Sequence, residues 1–170
     1  VTFPKKLQDS PANNIGEYPG GSQVEYKEGI LVGYRYFDTK KVEPLFCFGH
    51  VLSYTTFEYS DLEIVSSGNK SVKLSFKIKN TGLFEGAETA QVYVSDTESS
   101  VMRPEKELKS FQKVYLKPGE QKQVTMELDE RAFSYYDSGK KGWIVEPGTF
   151  KLLIGSSSRD IRLIKEWTIR

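Results

Sequence analysis

The sequence predicts a mostly β fold, in which an immunoglobulin-like β-sandwich follows a partly irregular extension. Aromatic residues make up 13% of the 170 residues, and flat side chains of this kind suit the half-buried face of a pleated sheet. From residue 57 on, apolar and polar residues alternate with period two, which is typical of strands with one buried and one exposed face. Pro-Gly dipeptides interrupt this alternation where turns are expected.

The alternation also places the individual strands. The clearest strand has Val72, Leu74, Phe76 and Ile78 on one face, with lysine and serine residues between them. The remaining strands are predicted at residues 57–65, 90–94, 111–116, 124–128, 150–154 and 161–169. About seven strands with this spacing predict a fibronectin type III-like sandwich, whereas the Cys…Trp…Cys framework of antibody domains is missing. No window of 11 or more residues shows helical periodicity.

Residues 1–56 differ from the rest of the chain. Gly, Pro, Asn and Tyr are frequent there and hydrophobic periodicity is weak, so this stretch has little means of building a core of its own. Two short apolar pieces, residues 30–32 and 44–48, are typical of segments that dock on something larger. We expect residues 1 to about 50 of the isolated chain to be poorly protected from amide exchange, while the sandwich folds cooperatively.

The charge balance excludes several classes of partner. Lys and Arg number 24 against 23 Asp and Glu, so a formal net charge of +1 attracts neither nucleic acid nor an anionic membrane. No apolar run approaches the roughly 20 residues of a membrane span. The single cysteine, Cys47, forms no internal disulfide, so the sequence does not distinguish secreted, periplasmic and cytoplasmic locations. Because the chain begins at Val1 without Met or a leader, we expect its natural N-terminus to lie elsewhere.

Carboxylates are numerous, but none occupies a setting that predicts catalysis. Hydrolysis by paired carboxylates needs one group in a desolvated niche that raises its pKa. Two groups of carboxylates are candidates for this role, and we interpret both as solvated surface: Glu127, Asp129 and Glu130 beside a strand end, and Glu105 and Glu107 in a polar stretch.

Cys47 and His50 are a conceivable nucleophilic pair. That chemistry normally joins partners from distant segments and needs an orienting third group, which the sequence does not show. One histidine and one cysteine also cannot fill the three or four ligand positions of a usual zinc site. Since no Gly-rich phosphate-binding motif is present either, the sequence predicts no cofactor.

Exposed aromatic side chains would suit a sugar-binding platform. The candidates are Tyr93, Tyr115, Tyr135, Tyr136 and Trp143, although sandwich cores and interfaces also absorb Tyr and Trp at this density. A second candidate for carbohydrate is covalent, because residues 69–71 form an N-glycosylation sequon on a predicted turn. Asn69 would be the acceptor if this chain belongs to a eukaryotic secreted protein.

An ordered set of motifs resembles the family-3 glycoside hydrolases, such as β-glucosidases. Residues 26–38, YKEGILVGYRYFD, match that family's Y-x-E-G-I-x-V-G-Y-R-Y-[FY]-D segment. Residues 44–57, PLFCFGHVLSYTTF, resemble its P-L-F-P-F-G-H-G-L-S-Y-T-x-F segment, with Cys47 for the usual Pro and Val51 for a Gly. The second departure concerns turn geometry, because a β-branched residue tolerates positive φ poorly. Residues 79–86, 103–111 and 116–120 follow the family's C-terminal fibronectin type III-like domain in order and spacing.

The resemblance implies three parts. Residues 1–37 would be the C-terminal tail of the family's α/β-sandwich domain, residues 38–56 a junction, and residues 57–170 the fibronectin type III-like domain. In this family the nucleophilic Asp belongs to a preceding barrel domain, and the acid/base, where it is a Glu, to an earlier part of the α/β domain. The resemblance therefore places both upstream of Val1 and assigns no catalytic, substrate-binding or metal-binding residue to this chain.

The implied function is that of an accessory, structural part of a retaining β-glucosidase, which hydrolyses terminal non-reducing β-D-glucosyl residues. The implied partners are the upstream barrel and α/β domains of the same parent and the parent's β-glucoside substrate, and no cofactor is implied. Three alternatives stay open: a carbohydrate-binding module, a part of a β-xylosidase of the same family, and a protein-interaction sandwich like those of adhesion proteins.

Aromatic residues concentrate around Gly49 and His50, in a stretch that is too short and too apolar for a free linker. We expect a rigid elbow that joins the two parts of the chain. The predicted structural junction residues are Tyr34, Arg35, Phe46, Phe48, Gly49, His50, Tyr54 and Phe57.

Overall fold

The computed structural model describes residues 1–14 and 21–170, so residues 15–20 of the predicted extension lie outside the described part. The N-terminal elements are short: β1 (Phe3–Pro4), a 3-10 helix (Leu7–Asp9), α1 (Pro11–Asn14), α2 (Tyr34–Thr39) and β2 (Pro44–Phe46). The elements that follow are β3 (Phe57–Ser67), β4 (Val72–Asn80), β5 (Gly86–Asp96), β6 (Glu107–Leu116), β7 (Gln121–Leu128), α3 (Glu130–Phe133), β8 (Tyr135–Asp137), β9 (Gly142–Ile144), β10 (Gly148–Gly155) and β11 (Ile161–Ile169).

Seven of these strands form two antiparallel sheets that share one core. The first sheet has the order β3-β4-β7, and the second has the order β11-β10-β5-β6. The register is continuous where the sequence alternates, so that Leu74 pairs with Met126 in one sheet and Val94 with Leu152 in the other. The predicted mostly β, fibronectin type III-like sandwich is confirmed.

The core forms because period-two alternation places one apolar face of each sheet inward. All four apolar residues of the clearest predicted strand, Val72 to Ile78, are at most 1% exposed. The facing sheet contributes buried side chains from β5 and β10 to the same cluster. Phe133 of α3 fills the gap between strands by packing against Phe150 at 5.2 Å and Trp167 at 4.5 Å between ring centroids.

Within the sandwich, two local elements were not predicted from the sequence. The β8–β9 hairpin pairs Tyr136 with Trp143, in a stretch where the alternation is too short to be recognised. The one-turn helix α3 begins at Asp129, whose side chain accepts a hydrogen bond of 3.3 Å from the amide of Ala132. Asp129 is therefore an N-cap, one of the roles that short polar side chains fill at helix starts.

Asn80 fixes the corner where β4 turns toward β5. Its side chain has no exposed surface, and its amide group donates to the carbonyls of Phe84 at 2.7 Å and Leu116 at 3.1 Å. Its carbonyl oxygen accepts from the hydroxyl of Thr55 at 2.6 Å and from the amide of Gly82 at 3.0 Å. All the hydrogen-bonding capacity of a buried amide is thereby used, which is the condition for burying it without loss of stability.

The N-terminal part departs from the expectation that it has no core. Leu31, Tyr36 and Phe37 form a small buried cluster, with Val42 packed against it. The sequence shows no helical period because α2 is only six residues long. The expected poor protection of residues 1 to about 50 rests on a lack of packing partners, but residues 31–50 pack on the sandwich, as described below.

Replacing Asn80 with Ala should destabilise the chain by about 2–3 kcal/mol, because two buried carbonyls lose their donor and a small cavity forms. Chemical unfolding followed by far-UV circular dichroism measures this change. Asn69→Ala is the matched control, since Asn69 is exposed and should change stability by less than about 0.5 kcal/mol. Equal stability of the two variants would contradict the role given to Asn80.

Candidate functional site

The docking segment, residues 31–50, lies on the outer face of the four-stranded sheet. Val92 and Val94 of β5 point into the core, so Tyr93 between them points outward. Tyr93 is nevertheless wholly buried, because the ring of Tyr34 packs edge-on against it with centroids 5.8 Å apart. Phe48 packs on Tyr34 in turn, at 5.0 Å. Burial raises the pKa of the Tyr93 phenol, which stays neutral and serves as a hydrogen-bond donor.

Gly49 allows the closest approach of the docking segment to the sheet. Its φ is +84°, a conformation that residues with a Cβ rarely adopt. A Cβ at this position would lie 2.6 Å from Nε2 of Gln91, well inside van der Waals contact. Beside it, the carbonyl of Phe48 accepts a hydrogen bond of 2.9 Å from the amide of Ser158. Val51, where the sequence departs from the family pattern, does not have positive φ.

Asp38 of α2 is the charged centre of the contact, with a side chain that is 2% exposed. Arg159, from the loop between β10 and β11, donates its Nε hydrogen to one carboxylate oxygen. The ammonium of Lys106 lies 3.0 Å from the other oxygen, at an angle that makes an ion pair rather than a hydrogen bond. Arg159 also donates to the carbonyls of Phe37 at 3.2 Å and Val42 at 3.0 Å. One arginine thus bonds to the C-terminal part of α2 and to the turn that follows it.

A second ion cluster lies where β6 begins. Glu107 accepts a hydrogen bond from Arg103 at 3.1 Å and forms ion pairs with Arg35 at 3.2 Å and Lys109 at 3.4 Å. Burial opposes ionisation of Glu107, but these cations outweigh it and hold the pKa of its carboxyl below its usual range. Burial also lowers the pKa of Lys109. Arg35 therefore ties α2 to β6 through a carboxylate that stays ionised.

The remaining predicted junction residues lie in different places. Phe46 packs against His50 at 5.1 Å and against Phe3 of β1 at 6.1 Å between ring centroids. Tyr54 is 95% exposed, and Phe57 begins β3 and packs against the sandwich core. The structure brings together Tyr34, Phe48 and Gly49 on the sheet face, but it does not bring Tyr54 and Phe57 to them.

The carboxylates that were considered for catalysis are held in structural roles or lie exposed. Glu105 pairs with Lys41, and Glu130 pairs with Lys70 at 2.7 Å. Glu127 is exposed on β7. The interpretation as solvated surface fits four of the five groups, whereas Glu107 lies in the ion cluster with a side chain that is only 15% exposed.

The Cys47 and His50 side chains do not form a nucleophilic pair. The sulfur of Cys47 lies 3.5 Å from the hydroxyl of Ser157, whereas the imidazole of His50 lies against Phe46. Among residues 1–14 and 21–170, no cluster of three His, Cys, Asp or Glu side chains could hold a metal ion. Across the same residues, no helix has the length and apolar character needed to cross a membrane.

The five aromatic candidates for sugar binding separate by location. Tyr93 is buried under the docking segment, and Tyr135 donates from its hydroxyl to Glu146 at 3.1 Å. Tyr115 is exposed on β6, outside the groove that the remaining two line. Only Tyr136 and Trp143 are exposed and adjacent, with ring centroids 5.4 Å apart, and both line a groove with a volume of 1170 Å³.

A cluster of exposed apolar residues, the apolar end, was missed from the sequence. Residues 52–56 run beside the turn between β4 and β5, where the amide of Thr81 donates to the carbonyl of Thr56 at 2.8 Å. Tyr115 is paired with Ala87, directly after that turn. Five side chains that are at least 62% exposed surround this place: Leu52, Tyr54, Leu83, Phe84 and Tyr115. The feature of the sequence that could have revealed this cluster is the apolar pair Leu83-Phe84, which follows the end of a predicted strand, where polar residues are usual.

The sequence and the fold have close counterparts among known proteins. A family model described as "fibronectin type III-like domain" matches residues 88–158. Thermostable β-glucosidase B of Acetivibrio thermocellus is 56% identical over 95% of this chain, and a β-glucosidase of Bacteroides ovatus is 50% identical over 95%. The crystal structure of a β-glucosidase from Bifidobacterium adolescentis superposes on 99% of the chain with a TM-score of 0.94 and 39% identity.

The matches cover only a part of each relative. The chain spans 22% of the length of the two curated β-glucosidases and 25% of the solved chain. The matched part contains the sandwich and the docking segment together, since nearly the whole of this chain is aligned. The chain therefore belongs to glycoside hydrolase family 3, in which it corresponds to the C-terminal segment that contains the fibronectin type III-like domain.

Proposed function

We propose that the chain is the accessory, non-catalytic part of a longer retaining β-glucosidase, which removes terminal non-reducing β-D-glucosyl residues. The observation that carries this proposal is the alignment of nearly the whole chain with about a fifth of each β-glucosidase. In this proposal the parent's other domains supply the catalytic residues. The chain supplies a stable body on which those domains rest.

The absence of a suitable carboxylate pair among the described residues supports a non-catalytic role. A retaining glycosidase needs a nucleophile and an acid about 5–5.5 Å apart, with the pKa of the acid raised. Glu88 has a raised pKa because it is buried, but its carboxylate accepts the hydroxyl of Tyr59 at 2.9 Å and faces Arg162 at 4.0 Å. Asp160 pairs with the same arginine at 2.7 Å. Neither carboxylate lines the groove of the β8–β9 hairpin, so no substrate reaches them there.

The apolar end is our candidate for the surface that meets the parent's other domains. Leaving such apolar side chains in contact with water costs about 25 cal/mol for each Å² of apolar surface that burial would remove from water. Contiguous exposed apolar residues mark interaction surfaces, whereas scattered ones are ordinary. The occupant we assign is the remainder of the parent polypeptide, because most of each relative's length lies outside the matched part.

The boundaries at residues 37 and 56 belong to this proposal as well. The docking segment crosses the first of them, because α2 spans Tyr34–Thr39 and Asp38 bonds to the sandwich. We propose that residues 31–50 move with the sandwich as one body. The junction would then be a rigid connection, which holds the sandwich in a fixed position relative to the preceding part of the parent polypeptide.

The choice between a β-glucosidase and a β-xylosidase parent depends on the sugar pocket of the catalytic domains. Our proposal of the glucosidase rests on the names of the matched relatives. Carbohydrate binding by the sandwich is a separate possibility, favoured by the exposed Tyr136 and Trp143 pair, and is taken up below.

The purified chain should not hydrolyse aryl β-glucosides above the rate of the buffer. Orienting two reacting groups is worth up to about 10 kcal/mol of a barrier, and a chain without the pair of carboxylates cannot replace that contribution. The measurement is release of the aryl alcohol, with the full-length parent as positive control. Turnover that survives repeated purification would refute the non-catalytic assignment.

Replacing Asp38 with Asn should release the docking segment before the sandwich unfolds. The substitution removes the buried charge that Arg159 and Lys106 share and leaves them only the more exposed Glu43 and Glu105, a change that costs about 3 kcal/mol for a buried pair. Amide exchange should then accelerate in residues 31–50 and stay slow in β4 and β5. Glu43→Gln is the matched control, because Glu43 also pairs with Arg159, at 3.2 Å, but has a side chain that is 67% exposed.

In the full-length parent, replacing Phe48 with Ala should lower the melting temperature and leave the Michaelis constant nearly unchanged. Phe48 is half-buried against Tyr34, so the expected loss of about 2–3 kcal/mol lies below the range for a fully buried Phe. Both quantities are measured on one preparation. A large rise in the Michaelis constant at an unchanged melting temperature would show that the junction shapes the active site instead.

A further inference from the structure

We infer that the groove beside the β8–β9 hairpin is a binding site for a neutral oligosaccharide, with Trp143 and Tyr136 as the surface on which a sugar ring stacks. The inference does not depend on the accessory role, because it concerns a different face of the sandwich from the apolar end. It would give the parent a second place to hold its carbohydrate, apart from catalysis.

The groove has room for such a ligand. Its volume of 1170 Å³ exceeds the range of about 300–1,000 Å³ typical of small-molecule sites, so more than one sugar unit fits. Its walls come from three places in the chain: residues around the start of the docking segment, the loop before β6 with the first residues of that strand, and the stretch from the end of β7 to the hairpin. Exposed apolar side chains on these walls are Ile30, Val101, Met102, Tyr136 and Trp143.

The hairpin presents its two aromatic rings on one side. Tyr136 and Trp143 are cross-strand partners, so their side chains project from the same face of β8 and β9. Each is 52% exposed, although neighbouring rings of this size usually bury most of their surface. The hydrophobic faces of sugar rings pack on exposed indole and phenol rings, and a pair at 5.4 Å offers a rigid platform.

Arg131 adds hydrogen-bond donors beside the platform. Its guanidinium carbon lies 3.0 Å from the centroid of the Trp143 ring, a stacked cation–π contact that holds the side chain in place. Within residues 1–14 and 21–170, no carboxylate or carbonyl accepts a hydrogen bond from this guanidinium. Its donors are thus positioned and free to bond hydroxyl groups in the groove.

The charges of the groove favour a neutral ligand over an anion. Its walls carry four cations, Arg35, Arg103, Lys109 and Arg131, and four carboxylates, Glu107, Glu127, Asp129 and Asp137. The first three cations surround Glu107, and the equal numbers of cations and carboxylates leave the groove without net charge. A phosphate or a nucleic acid would therefore meet no net positive charge there. Hydroxyl groups, in contrast, both donate to carboxylates such as the exposed Glu127 and accept from Arg131.

The test is calorimetric titration of the chain with a β-linked glucose tetramer, with inorganic phosphate and a sulfated tetramer as charged probes. We expect the neutral tetramer to bind and Trp143→Ala to weaken its association about tenfold or more, which corresponds to at least ~1.4 kcal/mol. Tyr115→Ala is the matched control, because Tyr115 is also an exposed aromatic residue but lies on β6 outside the groove. This variant should bind the neutral tetramer as tightly as the unmodified chain does.

A second readout guards against loss of the fold. Of the two tryptophans, Trp143 is exposed and Trp167 is buried, so a sugar-dependent change in tryptophan emission reports on the groove. Trp143→Phe keeps an aromatic ring in the hairpin and should bind more weakly than the unmodified chain but more tightly than Trp143→Ala.

Three results with the isolated chain would overturn the inference. They are no binding of the neutral tetramer at about 20 mM, equal binding by Trp143→Ala, and tighter binding of either charged probe than of the neutral sugar. In the full-length parent, Trp143 should also be open to chemical oxidation. Protection of Trp143 there, with no change on adding sugar, would show that another domain covers the groove and would equally refute the site.

Discussion

The buried carboxylate of Asp38 is the interaction on which the placement of the whole N-terminal part depends. An ionised group without solvent is strongly destabilising unless opposite charges reach it with good geometry. Here the two cations come from separate places in the sandwich, Lys106 before β6 and Arg159 after β10. Only one position of α2 brings the carboxylate to both. The aromatic contacts around Tyr93 add buried area, while Asp38 determines where the segment sits.

The outer face of the four-stranded sheet explains why this arrangement exists. An outward-facing strand residue is normally exposed to solvent, but Gln91 and Tyr93 are buried there and need a cover. The docking segment supplies that cover, and Gly49 lets its backbone come close enough. The segment and the sandwich therefore depend on each other. The small cluster of Leu31, Tyr36 and Phe37 is too small to support the segment without the sheet beneath it.

This interdependence gives an accessory segment a physical way to influence catalysis without taking part in it. Catalytic groups need to be held within about 0.5 Å of their working geometry, and the stiffness of the supporting structure provides that precision. A clamp made of buried ion pairs and aromatic packing is stiffer than a polar linker, because breaking it separates charges that are largely shielded from water.

The two unoccupied surfaces of the sandwich differ in chemistry. The apolar end carries aliphatic and aromatic side chains around a turn, as expected for contact with protein. The groove of the hairpin combines two aromatic rings with balanced charges, as expected for a ligand rich in hydroxyl groups. The same sandwich can therefore serve as a support on one side and hold carbohydrate on another.

The sequence by itself determined the sandwich, because period-two alternation of Val72, Leu74, Phe76 and Ile78 is a local signal that survives in the fold. It also showed the crowding near Gly49, because glycine and aromatic residues are visible as types. Only the tertiary structure decided what these residues touch. Asp38 and Arg159 are 121 residues apart, and Tyr136 and Trp143 meet only through a hairpin with short strands. Tyr54 and Phe57 looked like part of one elbow, yet one faces solvent and the other the core. Contacts of this kind join residues that are distant in the sequence and depend on the tertiary fold, which no local pattern of residue types encodes.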